Sequence, residues 1–124
     1  MFDIIEHLQI RPELKQSILS FREQYPVEEQ LQSRIPVPDN IYYGTDIWEK
    51  AVTALLCEKN ILLVGHKATG KNIFAENLAA AFGRPRWDVS FHVNMDAASL
   101  IGMDTFKNQE VVFRPGPICC AAQN

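Results

Sequence analysis

No stretch of this sequence is long enough to cross a bilayer. The aliphatic run Ile61-Leu62-Leu63-Val64 is far short of the ~20 apolar residues that a membrane helix needs. A basic leader is missing as well, since Asp3, Glu6 and His7 lie among the first apolar residues. A secretory signal is therefore not expected, and the cytoplasm is. Excess positive charge is also absent: 12 Lys and Arg stand against 15 Asp and Glu, a net charge of −3. That balance offers no global positive field to recruit nucleic acid, and no membrane partner is expected either. Cysteine is scarce. Cys57, Cys119 and Cys120 are odd in number and two are adjacent, which suits neither a disulfide framework nor a zinc knuckle. Reduced, structural cysteines are expected.

What remains is ordinary globular composition, 47% hydrophobic and 22% charged over 124 residues. A chain of this size can bury roughly two-thirds of its unfolded surface, so it can hold a core without metal or disulfide staples. The charge is unevenly placed: residues 1–40 carry 4 basic and 7 acidic side chains, whereas residues 41–124 carry 8 of each.

Residues 2–24 place Phe2, Ile5 and Leu8, then Leu14, Ile18 and Phe21, at helical spacing. Pro12 suits the first turn of a second helix, where its missing N–H is no loss. Tyr25-Pro26 interrupts the pattern, and Val27 to Arg34 can add another short helical turn. The prolines of Arg34-Ile35-Pro36-Val37-Pro38-Asp39-Asn40 forbid regular structure there. The domain boundary is expected here, with a helical N-terminal extension at 1–34 and a separate core at 35–124.

Beyond this boundary the pattern is α/β. Asp46 and Glu49 make a candidate capping box for a helix with Trp48, Val52 and Leu55 on one face. Ile61 to Val64 reads as a central parallel strand covered on both sides. A helix from about Lys71 to Phe82 follows, with Phe74, Leu78 and Ala81 facing inward and Gly83 as its stop. Trp87 to Val93 alternates and reads as the next strand. The expected unit is βαβ with a right-handed crossover.

Between strand and helix lies Gly65-His66-Lys67-Ala68-Thr69-Gly70-Lys71-Asn72, which fits G-x-x-x-x-G-K and lacks Ser or Thr at its last place. Glycines let backbone N–H groups turn inward around phosphate oxygens. The lysine reaches the β- and γ-phosphates, and the helix N-terminus favours an anion. Gly65 through Ile73 are therefore the candidate ATP-binding residues. Asn72 is the departure. Its carbonyl oxygen is a bulkier ligand for Mg²⁺ than a hydroxyl, so metal positioning is expected to be weakened. The alternative for the loop is a glycine-bearing turn that binds nothing.

From Ile41 onward the sequence resembles the AAA+ ATPases of the MoxR type, which are P-loop NTPases. Ile41-Tyr42-Tyr43-Gly44, the Asn60 to Asn72 stretch, Ser99-Leu100-Ile101-Gly102 and Val111-Val112-Phe113-Arg114-Pro115-Gly116-Pro117-Ile118 carry the resemblance. The last block is much narrower than a phosphate loop, which many enzymes share. The resemblance implies that Tyr42, Tyr43 and Gly44 line an adenine pocket. It also implies that Asp104 to Phe113 form an inserted hairpin, and that Pro117 opens a helix. It further implies an incomplete AAA+ parallel-sheet core. The acidic strand that holds Mg²⁺, the sensors, the arginine finger and the helical lid are expected beyond Asn124. The chain is expected to bind ATP better than it hydrolyses it, either as a fragment of a longer ATPase or as a truncated product. In the intact protein the resemblance implies ATP-driven, chaperone-like remodelling of a partner. Homo-hexameric rings and a von Willebrand factor A domain partner are also implied.

Two other functions compete. Asn72 fits a catalytically inactive nucleotide-binding module, and the strand, loop and helix fit a small-molecule kinase, which Phe113 to Pro117 does not support. Other residues have plainer readings. His66 reads as an exposed loop residue, His92 as the outward residue of a strand, and His7 has no partner in view. Asp96 reads as an N-cap, and Asp88 and Asp104 carry no stronger case as acids. Arg84 and Arg86 read as a solvated turn. Trp48 and Trp87 read as core anchors. Arg114 draws interest only through the resemblance, as a subunit-interface group.

Overall fold

Pro12 opens helix α1, Pro12–Gln24, in the first turn, where proline costs nothing. The computed structural model describes residues 3–66, 69–89, 96–107 and 110–123. A 3-10 turn, Ile4–His7, precedes α1, capped by the Asp3 side chain on the Ile5 amide. A second, Glu29–Arg34, follows the break at Tyr25-Pro26. Helix α2, Thr45–Leu56, and helix α3, Lys71–Ala81, come next. The second unit holds α4, Ala97–Leu100, β1, Gly102–Lys107, β2, Glu110–Pro115, and α5, Pro117–Gln123.

The contacts divide the chain at Arg84 and Pro85 into two units. The boundary expected at residue 34 falls inside the first unit. Ile4, Ile5, Leu8, Ile10 and Ile18 from the N-terminal third share one core with Trp48, Val52, Phe74, Leu78 and Ala81. Ile18 and Val52 are fully enclosed, and burying each contributes about 1.5–3 kcal/mol. Arg22 fastens the two parts together. It forks onto both Asp3 oxygens at 3.1 Å and also donates to the carbonyls of Ala81 and Ala80 at the end of α3. The guanidinium hydrogen bond holds the Asp3 carboxyl below its usual value. The cation also answers the negative end of the helix dipole.

Three expectations differ from what is found. The segment Ile61 to Val64 is not a strand: Leu62 and Val64 are 86% and 85% exposed, whereas Ile61 and Leu63 pack on the core. A ladder needs a neighbouring strand, and among the described residues none runs beside this one, so only one face of the apolar run is covered. Residues 87–89 have no regular structure, and Ser90 to Val93 of the second expected strand, His92 included, lie outside the described residues. Among the described residues the only sheet is the antiparallel pair of β1 and β2, so the parallel sheet of the expected core and its crossover are not seen. The capping box is also absent. Helix α2 starts one residue before Asp46, behind Gly44 at φ 152°, and the Glu49 carboxylate bonds Arg11 at 2.9 Å instead.

In the second unit the hairpin expected at 104–113 is present and slightly longer, with Gly102 opposite Pro115 and Lys107 opposite Glu110. Its polar middle, Asn108-Gln109, lies outside the described residues. Pro117 begins α5 as its chemistry predicts. The Gly116 amide donates to the Ile101 carbonyl at 2.7 Å, and a Cβ on Gly116 would stand 2.5 Å from the Leu100 carbonyl oxygen. The Leu-Ile-Gly and Pro-Gly-Pro segments are thus a single piece of local structure. Only glycine lets the two backbones approach this closely.

Candidate functional site

Helix α3 carries the site because of how it begins. Its N-cap is Gly70 in the left-handed region at φ 86°, with no side-chain cap and no acidic residue in the first turn. The first backbone N–H groups of a helix have no partner within it, and among the described residues the N-cap side chain and the first turn supply no compensating acceptor or carboxylate. By contrast, α1 and α2 each carry an acidic residue, Glu13 and Asp46, in the first turn. A helix end of this kind has the chemistry to attract an anion.

The loop before it is folded upon itself. Thr69 Oγ donates to the His66 carbonyl at 2.8 Å, and Lys71 Nζ donates to the carbonyls of Gly65 and His66, both at 2.6 Å. A Cβ on Gly65 would meet Thr69 Oγ at 3.3 Å, so the ring of the loop is tight at that point. The ammonium group is held at the loop rim by two neutral backbone carbonyls. Asn72 and Ile73 are exposed on the first turn, and Lys67 and Ala68 lie outside the described residues. His66 is exposed, as the loop reading expects.

Of Tyr42, Tyr43 and Gly44, it is Tyr42 that stands beside this loop. A Cβ on Gly70 would touch the Tyr42 ring at 3.0 Å, and that ring packs on Phe74 with centroids 5.1 Å apart. Two residues fix the segment that sequence reasoning did not single out for this role. Asn77, fully buried on α3, accepts the Tyr42 amide at 2.9 Å and donates to the Asn40 carbonyl at 2.9 Å. Trp48 Nε1 donates to the Tyr42 carbonyl at 2.6 Å. The signal for Asn77 was present: it occupies an i+3 place on the apolar face of Phe74, Leu78 and Ala81, where a polar side chain needs a buried partner. Tyr43 is 79% exposed beside it.

Among the described residues no group of three or more His, Cys, Asp or Glu can hold a metal ion. None of Cys57, Cys119 and Cys120 forms a disulfide. No described helix is long and apolar enough to cross a membrane.

Residues 60–124 match the model of the AAA domain, dynein-related subfamily. The uncharacterized protein YojN of Bacillus subtilis is 33% identical over 118 residues, 92% of this chain and 38% of its own length. An uncharacterized protein of Staphylococcus haemolyticus is 38% identical over 86 residues, 64% of this chain and 33% of its own. Protein NorQ of Paracoccus denitrificans is 38% identical over 63 residues, 51% of this chain and 23% of its own. The chain spans less than two-fifths of the length of each of these relatives. No solved structure matches it.

Proposed function

Because the chain belongs to the AAA domain family, in its dynein-related subfamily, we propose that it binds ATP, with the phosphates cradled by residues 65–73 at the front of α3. One observation carries this reading: the unscreened N-terminus of α3, with left-handed Gly70 as its cap and Lys71 beside it. The β- and γ-phosphates take the backbone amides of the loop and first turn. Lys71 Nζ leaves the Gly65 and His66 carbonyls for phosphate oxygens. Tyr42, Tyr43 and Gly44 flank the base. Mg²⁺ screens the phosphate charge when bound, and Asn72 offers it a carbonyl oxygen in place of a hydroxyl.

In the longer protein the reading extends to ATP hydrolysis that remodels a partner protein, in the manner of the MoxR type. Catalysis of phosphoryl transfer rests on positioning and on charge placed around the γ-phosphate. What residues 65–73 are proposed to supply is the binding of the phosphates. Assembly as a homo-hexamer, a von Willebrand factor A domain partner and a cytoplasmic location belong to the same proposal. The second reading, a nucleotide-responsive module without turnover, is favoured by Asn72 alone.

Titration of the purified chain with ATP tests the first step. Heat release, together with amide shifts at Gly65, Thr69 and Gly70 to Ile73, is expected. A silent titration would remove the reading. Turnover by the longer protein separates the two readings, because the inert module binds ATP and releases it unchanged.

A further inference from the structure

Resting on the nucleotide reading above, we propose that His7, Leu8 and Gln9 form one wall of the base site, with the Gln9 carboxamide bonding the edge of an adenine. A cleft runs between this N-terminal segment and Tyr42 to Thr45, with Trp48 also lining it. Its two sides come from parts of the sequence more than thirty residues apart. The Tyr42 ring belongs both to the cleft and to the phosphate loop, since it also stands against Gly70. Phosphates held at the front of α3 therefore place the far end of a nucleotide across Tyr42, toward the cleft.

The enclosed part of the cleft is only about 10 Å³, room for one water. The base therefore lies across the open mouth with one edge turned in. Hydrogen-bonding groups are available at that mouth. The Tyr42 amide and carbonyl are already used by Asn77 and Trp48. The Tyr43 amide and carbonyl have no partner among the described residues, nor has the exposed Gln9 side chain. A carboxamide presents a donor and an acceptor side by side, the pair that matches the amino group and neighbouring ring nitrogen of adenine. The wall is anchored at both ends. Ile4, Ile5, Leu8 and Ile10 are buried, Asp3 is forked by Arg22, and Arg11 is tied to Glu49. It does not swing away on its own, while His7 and Gln9 remain exposed.

The test compares ATP with inorganic tripolyphosphate, which has the phosphates and no base. Calorimetry is run on the chain, on the double variant His7→Ala/Gln9→Ala and on Lys71→Ala. The ligand-free melting temperature of each variant is measured alongside, and Gln9→Glu, at an exposed position, is expected to leave it unchanged. The double variant is expected to lose about tenfold in ATP affinity, one hydrogen-bonded pair's worth, and nothing for tripolyphosphate. Gln9→Glu, which keeps the length and removes the donor, is expected to reproduce the ATP loss. Lys71→Ala is expected to weaken both ligands. Equal ATP affinity in the double variant and the parent overturns the wall, as does a parallel loss of both ligands in that variant. Either result leaves the phosphate cradle standing. If the parent binds neither ligand, or Lys71→Ala binds both undiminished, the nucleotide reading falls and takes the wall with it.

Discussion

Asn77 holds Tyr42 in place: its Oδ1 accepts the Tyr42 amide at 2.9 Å while its Nδ2 reaches the Asn40 carbonyl at the same distance. The helix that begins at the phosphate loop thereby also sets the backbone of the segment beside it. Any shift of α3 is carried directly to Tyr42, and Trp48 holds the carbonyl side of the same residue.

Replacing Asn77 by Leu preserves bulk and abandons both partners. With the Tyr42 amide and the Asn40 carbonyl left unpaired, a loss of about 2–3 kcal/mol in unfolding free energy is expected. Urea denaturation measures it. A variant as stable as the parent would mean that water replaces the carboxamide.

Lys71→Ala is expected to leave the ligand-free protein nearly as stable, within about 0.5 kcal/mol, because the ammonium bonds exposed loop groups, two carbonyls and the Thr69 hydroxyl. The same variant is expected to show no rise in melting temperature with ATP. A rise equal to the parent's would place the phosphates elsewhere.

Asn72→Thr restores a hydroxyl at the first turn. The expected outcome is a steeper dependence of ATP affinity on Mg²⁺ concentration, read by calorimetry with and without the cation. An unchanged dependence would remove Asn72 from the metal's surroundings.

The Arg22 fork predicts a particular acid response. The guanidinium hydrogen bond lowers the Asp3 carboxyl below its ordinary value of 3.8. The folded protein therefore holds that proton less tightly than the unfolded chain. The resulting stabilisation is complete above about pH 5 and fades as pH falls through 3.8 toward the lower folded value. Asp3→Asn is expected to flatten this part of the stability curve, measured as melting temperature between pH 6 and pH 3. An identical slope in both proteins would assign the acid loss to other carboxylates.

Gly116→Ala tests the joint between the two second-unit motifs. The added methyl meets a backbone oxygen, Leu100 O, at 2.5 Å, which no side-chain rotation relieves. A cost of about 1–3 kcal/mol is expected, with loss of the Gly116 to Ile101 hydrogen bond visible as faster amide exchange.

Local signals were legible in the sequence. Pro12 and Pro117 start helices, Gly83 at φ 61° follows the end of α3, and Trp48, Val52, Phe74 and Leu78 are buried as their spacing predicts. The hairpin was legible through a family resemblance rather than through turn chemistry. Non-local partners were not legible. Glu49 is placed to cap its own helix, yet it pairs with Arg11, 38 residues away. Ile61 to Val64 has the composition of a buried strand, but composition cannot supply the neighbour that makes a strand. The loop was singled out from its letters, whereas the residues that steady the neighbouring Tyr42 segment are set by packing. Asn77 was hidden because a polar residue on an apolar face announces a partner without saying which one.

Leu62 and Val64 turn their hydrocarbon to the solvent while their alternate neighbours are covered. Each forgoes about 1.5–3 kcal/mol that a covering layer returns, so this ribbon is a sticky seam. Dissolved alone at high concentration, the polypeptide is driven to self-associate along it, and charged replacements at these two positions are the direct way to keep it dispersed.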